Sequence, residues 1–156
     1  MTPAPKVIHQ SVLGQLSAQL YRFFTEKSCH SMLGPLDVFL PDGDEVLDDA
    51  KDVVQPDTFV VCDDRKLMDI GIMGAPDFIL EVLDSITAMK DQTEKRRLYE
   101  ARGVREYWIV NPETLEVFMY LLRGEQYGLP SVADLRATVP VAILPGLALK
   151  ARPEDL

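Results

Sequence analysis

Phe78-Ile79-Leu80-Glu81-Val82-Leu83 is a nearly continuous apolar run at the middle of the chain. A short apolar run of this kind is typical of a strand that is buried on both faces of a sheet. Glu81 interrupts the run, and an unpaired carboxylate in such a place costs several kcal/mol or stays protonated. Glu81 is therefore either paired with a cation or backbone group at the strand end, or held on a rigid strand to bind a hard cation.

The segments around this run predict an α/β protein. Apolar residues at three- and four-residue steps predict a helix over about 10–26, and a second helix is expected over 88–102, after Thr87 as N-cap and before Gly103. Strands are predicted at 36–40, 58–62, 78–83, 107–110 and 117–122, with irregular chain at 42–55 and 64–76 and an edge strand in the tail after Thr138. This order predicts an α/β sandwich with a mixed central sheet.

Length and composition bound the class of protein. The 156 residues, 47% hydrophobic and 26% charged, predict a single globular domain over 1–156. No apolar run approaches the roughly 18 residues of a membrane span, so we expect no membrane association and a cytoplasmic location. Cys29 and Cys62 do not make a disulfide framework and fit a reducing compartment, with Cys62 as a small buried hydrophobic residue in its strand.

The charge of the chain is −9, which argues against nucleic acid because phosphate contacts need Lys and Arg. The charge is distributed unevenly. Residues 37–64 carry ten carboxylates and one cation, whereas residues 90–105 carry six cations and three anions. An acidic half beside a basic helix is either a solvated surface or a group of carboxylates for a metal with cations beside it for a phosphate.

Two further residues are candidates for a site with Glu81. Asp57 begins the neighbouring β run, where it either caps a turn or supplies a second oxygen ligand. Asp91, Lys95 and Tyr99 share one helix face, so Lys95 either pairs with Asp91 in solvent or reaches Glu81 if that face packs on the sheet. A lysine there can orient an attacking water and stabilise charge developing on a phosphate. We therefore expect Asp57, Glu81 and Lys95 to converge in one cleft.

Other constellations are weaker. His9 and His30 have no partner signal and are interpreted as core or solvated histidines. A closed zinc site would need both histidines and both cysteines to converge. The sequence has no phosphate-binding glycine loop, nucleophile elbow or dinucleotide-binding motif.

Four motifs in order resemble one family: Val54-Gln55-Pro56-Asp57, Ala75-Pro76-Asp77 with the run to Leu83, Asp91 through Lys95 to Tyr99, and Gly103-Val104-Arg105-Glu106-Tyr107-Trp108-Ile109-Val110-Asn111-Pro112. The chain resembles, from about His9 to Leu149, the bacterial restriction-endonuclease-like proteins of the Uma2 type. These belong to the PD-(D/E)XK nuclease superfamily. The resemblance implies a restriction endonuclease-like α/β/α sandwich and a hydrolase that cuts DNA with Mg²⁺ or Mn²⁺.

The resemblance also implies roles for individual residues. Asp57 and Glu81 match the two metal ligands, and Lys95 resembles a lysine that this family carries on the next helix. The superfamily's usual lysine position, two residues after the acid, is Leu83 in this chain. Asp37 matches a recurrent acid of the family, and one interpretation gives this acid a structural role. A homodimer would, by analogy, let two sites cut both strands.

The chain departs from the family pattern in two places. The family usually has a strand-rich segment with a Tyr-Glu-Leu-like motif before the first helix, and this chain begins almost at His9. Leu83-Asp84-Ser85-Ile86-Thr87 replaces the usual Leu-Ser-Pro-Ser-Thr, which adds a negative charge near the site. Two alternatives to an active nuclease follow: a decayed nuclease fold that serves as a binding or regulatory module, and a purely structural subunit of an oligomer.

Overall fold

A mixed sheet with one helix on each face forms the centre of the protein. The computed structural model describes residues 4–43, 51–84 and 88–153, without the side chains of 88–91. In chain order the elements are α1 (Val7–Phe24), β1 (His30–Leu33), β2 (Val38–Phe39), β3 (Val53–Val54), β4 (Thr58–Val61), a 3₁₀ turn (Asp64–Lys66), β5 (Leu67–Met68), β6 (Gly71–Met73), β7 (Phe78–Val82), α2 (Ala88–Arg102), β8 (Glu106–Val110), β9 (Glu116–Leu121), β10 (Ser131–Asp134), β11 (Val139–Pro140) and β12 (Ala148–Leu149).

The central sheet has six strands in the order β1-β4-β7-β8-β9-β10. β7 and β8 are parallel, and the other neighbouring pairs are antiparallel. A parallel pair needs a crossover connection, and α2 supplies it between β7 and β8. β7 thus lies in the interior of the sheet, as its apolar sequence predicts, and all five of its residues are buried.

Alternation along β7 divides the core between the two faces of the sheet. Phe78, Leu80 and Val82 belong to the cluster that includes the apolar stripe of α1. Ile79 belongs to the other cluster, which includes Tyr99 of α2. Since successive side chains of a strand point to opposite faces, Glu81 lies on the α2 face with Ile79.

A second sheet and a two-stranded pair add residues to the core on the two faces of the central sheet. The second sheet, β3-β2-β6-β5, adds Val38 and Ile72 to the core on the α2 face. The β11–β12 pair adds Val139 and Leu149 to the core on the α1 face. The predicted α/β class with a mixed sheet is confirmed.

Several elements differ from the sequence expectations. The sequence did not predict β1, β3, β5, β6 and β10, because strands of two to four residues are too short to show a period of two. β2 is shorter than the predicted 36–40, whereas α2 has its predicted bounds. Gly103 has φ of 82° directly after α2, as expected of a residue that ends a helix in the left-handed conformation. The predicted cap Thr87 lies outside the described residues.

The expectation for the cysteines was wrong. Cys29 and Cys62 form a disulfide, with Cα atoms 4.1 Å apart. His30 of β1 pairs with Val61 of β4, so the next pair in this antiparallel register is Cys29 with Cys62. Because 33 positions separate the two residues, no local pattern reveals the pairing. Cys62 is half-buried and bonded, instead of being a simple buried hydrophobic residue.

Within the described part of the chain, neither helix combines the length and the apolar character that crossing a membrane requires.

Candidate functional site

Glu81 is a buried carboxylate held by three hydrogen-bond donors. The residue is 2% exposed. Tyr99 donates its hydroxyl to Oε1 at 2.9 Å, and Tyr107 donates to Oε2 at 3.1 Å. The ammonium group of Lys95 also donates to Oε2, at 3.4 Å. An ionised carboxylate has about four acceptor sites, so these donors leave one of them open.

The two tyrosines remain protonated donors to this carboxylate. Burial raises the pKa of Tyr99, and the nearby charge of Glu81 raises it further. Burial and the same charge also raise the pKa of Tyr107. Both effects disfavour a phenolate, because an anion in the interior would lose hydration and repel the carboxylate. Glu81 therefore has two neutral donors that stay in place over the physiological pH range.

Gln92 extends the network on the far side of Tyr107. Gln92 is buried, and its side-chain amide contacts the Tyr107 hydroxyl through Oε1. A tyrosine has one hydroxyl proton, which the charged acceptor Glu81 attracts more strongly than an amide oxygen does. Turning the Gln92 amide by half a turn lets its NH₂ group donate to the same hydroxyl. α2 thus holds Tyr107 as well as Glu81.

Asp57 lies at the end of the sheet where Glu81 is placed. Thr58 of β4 pairs with Leu80 of β7, so Asp57 and Glu81 are the next opposed positions in this antiparallel register. Asp57 Oδ2 accepts a 2.8 Å hydrogen bond from the backbone N–H of Val82. The carbonyl oxygen of Asp57 accepts a 2.8 Å bond from the N–H of Gly34. A side chain at Gly34 would collide with the carbonyl oxygen of Pro56, so glycine permits this close approach.

His9 is a neighbour of Asp57 that the sequence did not identify. It is 5% exposed, and its Nε2 lies 3.5 Å from Asp57 Oδ2. Its Nδ1 lies 2.9 Å from Oε1 of Gln10. Hydrogen bonding to Asp57 raises the pKa of His9, although burial of the ring acts in the opposite direction. The step from His9 to Val12 and Leu13 matches helical spacing and signals burial, but no local pattern signals the contact with Asp57.

Lys95 connects Glu81 to solvent. Its side chain is 41% exposed, whereas the side chain of Glu81 is 3% exposed. Lys95 also lines a cleft of about 390 Å³ together with Asp52, Glu94 and Leu98. A flexible four-carbon stem lets the ammonium group contact Glu81 or turn into this cleft. The alternative pairing with Asp91 falls on a side chain outside the described part of the structure.

The other candidates have different partners. Asp37 accepts a 2.8 Å hydrogen bond from Gln55, and its carbonyl oxygen accepts one from Ile72 N–H in the second sheet. His30 lies 2.8 Å from Asp64, beyond the other end of β4, and is solvent-exposed in part. The zinc site that would need both histidines and both cysteines does not form, because the cysteines are bonded to each other.

The donor set decides which metal the site suits. Within the described ranges, no three His, Cys, Asp or Glu side chains cluster as a metal site. Asp57 and Glu81 offer carboxylate oxygens, which are hard ligands, and neither thiolate nor a complete cage accompanies them. Mg²⁺ typically uses one or two carboxylates and completes its shell with water and substrate phosphate. The residues present therefore fit Mg²⁺, or Mn²⁺ in its place, better than a structural zinc.

Comparisons with known proteins place the chain in a family. No curated protein matches the chain. Among solved structures, the chain is similar to "a putative nuclease belonging to DUF820 from Anabaena variabilis ATCC 29413", with a TM-score of 0.72 and 20% identity over 96% of this chain and 81% of the other. This likeness shows a shared fold and confirms the predicted restriction endonuclease-like sandwich. The Uma2 family, described as "Putative restriction endonuclease", matches residues 1–152. The chain therefore belongs to the Uma2 family.

Proposed function

We propose that the protein is a Mg²⁺- or Mn²⁺-dependent endonuclease that hydrolyses phosphodiester bonds in DNA at Asp57, Glu81 and Lys95. The observation that carries the proposal is the contact of the cleft residue Lys95 with the buried carboxylate of Glu81, which lies opposite Asp57 in the strand register. An acid and a lysine in contact at a solvent-open edge are an arrangement suited to phosphate chemistry. The description of the Uma2 family supports the same substrate class.

Asp57 and Glu81 would hold the cation. When bound, a divalent cation polarises a phosphoryl oxygen and lowers the pKa of water. Asp57 contributes a carboxylate whose Oδ2 is held by Val82 N–H, and Glu81 contributes the acceptor site that its three donors leave open. Both carboxylates are held by groups on the sheet or on α2, which limits their movement when substrate binds.

Lys95 would act on the phosphate. Its ammonium group turns from Glu81 into the cleft and stabilises the negative charge that develops on the attacked phosphoryl group. Glu81 then keeps its hydrogen bonds from Tyr99 and Tyr107, so the departure of Lys95 does not leave the carboxylate without partners. The two tyrosines are therefore positioning residues for Glu81.

A second candidate is a decayed nuclease fold that serves as a binding or regulatory module. Three donors already hold Glu81, so the carboxylate has a complete structural explanation as a buried ion pair. Asp52 and Glu94 line the cleft, and the whole chain has a charge of −9, which opposes the approach of DNA. These observations favour weak or absent cleavage with the site geometry retained.

DNA is the proposed substrate, and the cytoplasm, where DNA is accessible, is the proposed location. The cysteines do not support that location, because Cys29 and Cys62 form a disulfide. A homodimer is proposed as well, because two such sites would cut both strands of a duplex. Light scattering of the purified protein with and without duplex DNA would test the dimer.

Cleavage of supercoiled plasmid DNA tests the proposed activity. We expect wild-type protein to nick the plasmid with Mg²⁺ or Mn²⁺ and to be inactive with EDTA. Glu81→Gln and Lys95→Met should lose the activity, whereas Arg97→Met, an exposed cation on the same helix, should keep it. Metal-independent activity, or equal activity in all variants, would contradict the proposal. A wild type that binds DNA without cutting it would instead support the decayed fold.

A further inference from the structure

We propose that His9 is a positioning residue that fixes the carboxylate of Asp57 for cation binding. The inference rests on the proposed function, because it assigns a role toward the same metal site. It concerns a residue of α1, the helix on the opposite face of the sheet from α2. The site thus draws on both helical layers of the sandwich.

Two described residues make polar contacts with the carboxylate of Asp57. Among the described residues, both contacts of its carboxylate fall on the same oxygen: Val82 N–H at 2.8 Å and His9 Nε2 at 3.5 Å reach Oδ2. Val82 alone would leave the carboxylate plane free to turn about that bond. A second contact from a different direction restricts the rotation, so that Oδ1 keeps one orientation toward a cation.

The His9 side chain is held by its surroundings. The ring is 5% exposed and lies in the first turns of α1, whose apolar stripe continues through Val12, Leu13 and Leu16 into the core. The Nδ1 atom contacts Oε1 of Gln10, so both ring nitrogens have polar neighbours. A side chain held in this way can act as a fixed support for Asp57.

Burial also separates this role from direct catalysis. The His9 ring is almost fully covered, and Nε2 faces the carboxylate, so neither nitrogen is presented to a substrate in the cleft beside Lys95. His9 therefore acts through Asp57. Partners that orient a metal-binding side chain typically contribute about 10- to 100-fold to metal affinity. We expect an effect of this size on Mn²⁺ affinity and little effect on the chemical step.

Calorimetric titration of the full chain with Mn²⁺ alone tests the assignment. His9→Leu should weaken Mn²⁺ binding by about 10- to 100-fold, and His9→Gln, which keeps an N–H donor, should recover much of the loss. His30→Leu is the matched control, because His30 contacts Asp64 beyond the other end of β4 and should leave the affinity unchanged. At saturating Mn²⁺, plasmid cleavage by His9→Leu should return close to the wild-type rate. Wild-type affinity in His9→Leu would overturn the proposal.

A second measurement covers the case in which His9→Leu does not fold. The chain has two histidines, so His9 and His30 give separate ring ¹⁵N signals that the His30→Leu spectrum assigns. Saturating Mg²⁺ should shift the ring nitrogens of His9 and leave those of His30 in place; unchanged His9 signals would overturn the inference. If wild type binds no Mn²⁺, or if Glu81→Gln does not change the binding, both the proposed function and this inference are wrong. If only the His9 results fail, the proposed function stands.

Discussion

The Tyr99 hydroxyl of α2 donates a 2.9 Å hydrogen bond to Oε1 of Glu81 in β7. Both residues are buried, at 0% and 2% exposure, so this bond joins a helix to the carboxylate inside the central sheet. The charge of Glu81 is tolerated there because its oxygens receive hydrogen bonds that replace those of water. α2 thus fixes the orientation of the acid and carries Lys95 one turn earlier.

Replacing the Tyr99 hydroxyl tests this link. Tyr99→Phe should lower the free energy of unfolding by about 1.5–3 kcal/mol, because it removes a buried bond to a charged acceptor. Tyr127→Phe is the matched control, since its hydroxyl donates to a neutral carbonyl, that of Val104, and its loss should cost about 1 kcal/mol. Urea denaturation at neutral pH measures both. Equal losses would show that the charge of Glu81 adds nothing to the Tyr99 bond.

Lys95→Met should abolish metal-dependent cleavage and leave Mn²⁺ affinity nearly unchanged, because in the proposed mechanism the lysine acts on phosphate and is not a ligand. Lys95→Arg should restore cleavage only in part, since a planar guanidinium does not replace a compact ammonium group. Plasmid nicking and calorimetry measure the two quantities. Cleavage by Lys95→Met at the wild-type rate would remove Lys95 from the mechanism.

Glu94→Gln should increase affinity for DNA. Glu94 is exposed and lines the cleft of Lys95, so removing its charge reduces repulsion of phosphate. Glu113→Gln, an exposed acid in the turn before β9, is the control for the same change in net charge. Binding of labelled duplex DNA at low salt in Ca²⁺ compares them. An equal gain in both variants would indicate a general charge effect instead of a local one.

Saturating Mn²⁺ should stabilise the wild type by about 2.7 kcal/mol at a hundredfold excess over Kd, because the proposed cation site exists only in the folded chain. Asp57→Asn and Glu81→Gln should lose most of this gain. Asp37→Asn should keep it, since Asp37 pairs with Gln55 next to the strands β2 and β3 of the second sheet. Thermal unfolding with and without Mn²⁺ makes the comparison. A full shift in both site variants would place the cation elsewhere.

The buried tyrosines predict a loss of stability at alkaline pH. Burial raises the pKa of Tyr127, and Glu100 raises it further; the pKa values of Tyr99 and Tyr107 are raised as well. Each group then contributes stability that is fully present below its unfolded pKa of about 10. Above that pH the unfolded chain loses protons that the folded chain keeps, so the free energy of unfolding falls by about 1.4 kcal/mol per pH unit for each tyrosine.

Absorbance at the tyrosinate band measures this titration. The signal of the buried tyrosines should appear together with unfolding, and Tyr127→Phe should make the pH dependence less steep. Ionisation of all five tyrosines while the fold is intact would contradict the expectation.

The long elements could be predicted from sequence because their patterns are local. The apolar run of β7 and the apolar stripe of α1 each contain enough residues to show a period. β1 could not be predicted in this way, because its four residues are half-buried or exposed and its position depends on pairing with β4. The Cys29–Cys62 disulfide depends on the same pairing and was missed for the same reason.

The residues of the candidate site also differ in whether the local sequence reveals them. Glu81 was identifiable, because a charge in an apolar strand is a local anomaly, and the helical spacing of Lys95 and Tyr99 was also local. The catalytic and ligand roles of Asp57, Glu81 and Lys95 stay predictions. His9 lies 48 positions before Asp57 and contacts it across the sheet edge, so only the packing of α1 reveals the pair. Contacts between layers of a sandwich leave no signature in either segment alone.

The register between β4 and β7 has a consequence for quality control of the protein. Thr58 opposite Leu80 is what sets Asp57 opposite Glu81, and a slip of β7 by one residue would turn Glu81 toward the α1 face. Such a molecule would keep most of its secondary structure, but Glu81 would lose its contacts with the two tyrosines and the lysine together. Specific activity in the proposed DNA cleavage would therefore measure the fraction of correctly paired chains. Circular dichroism would not distinguish these chains from the slipped ones.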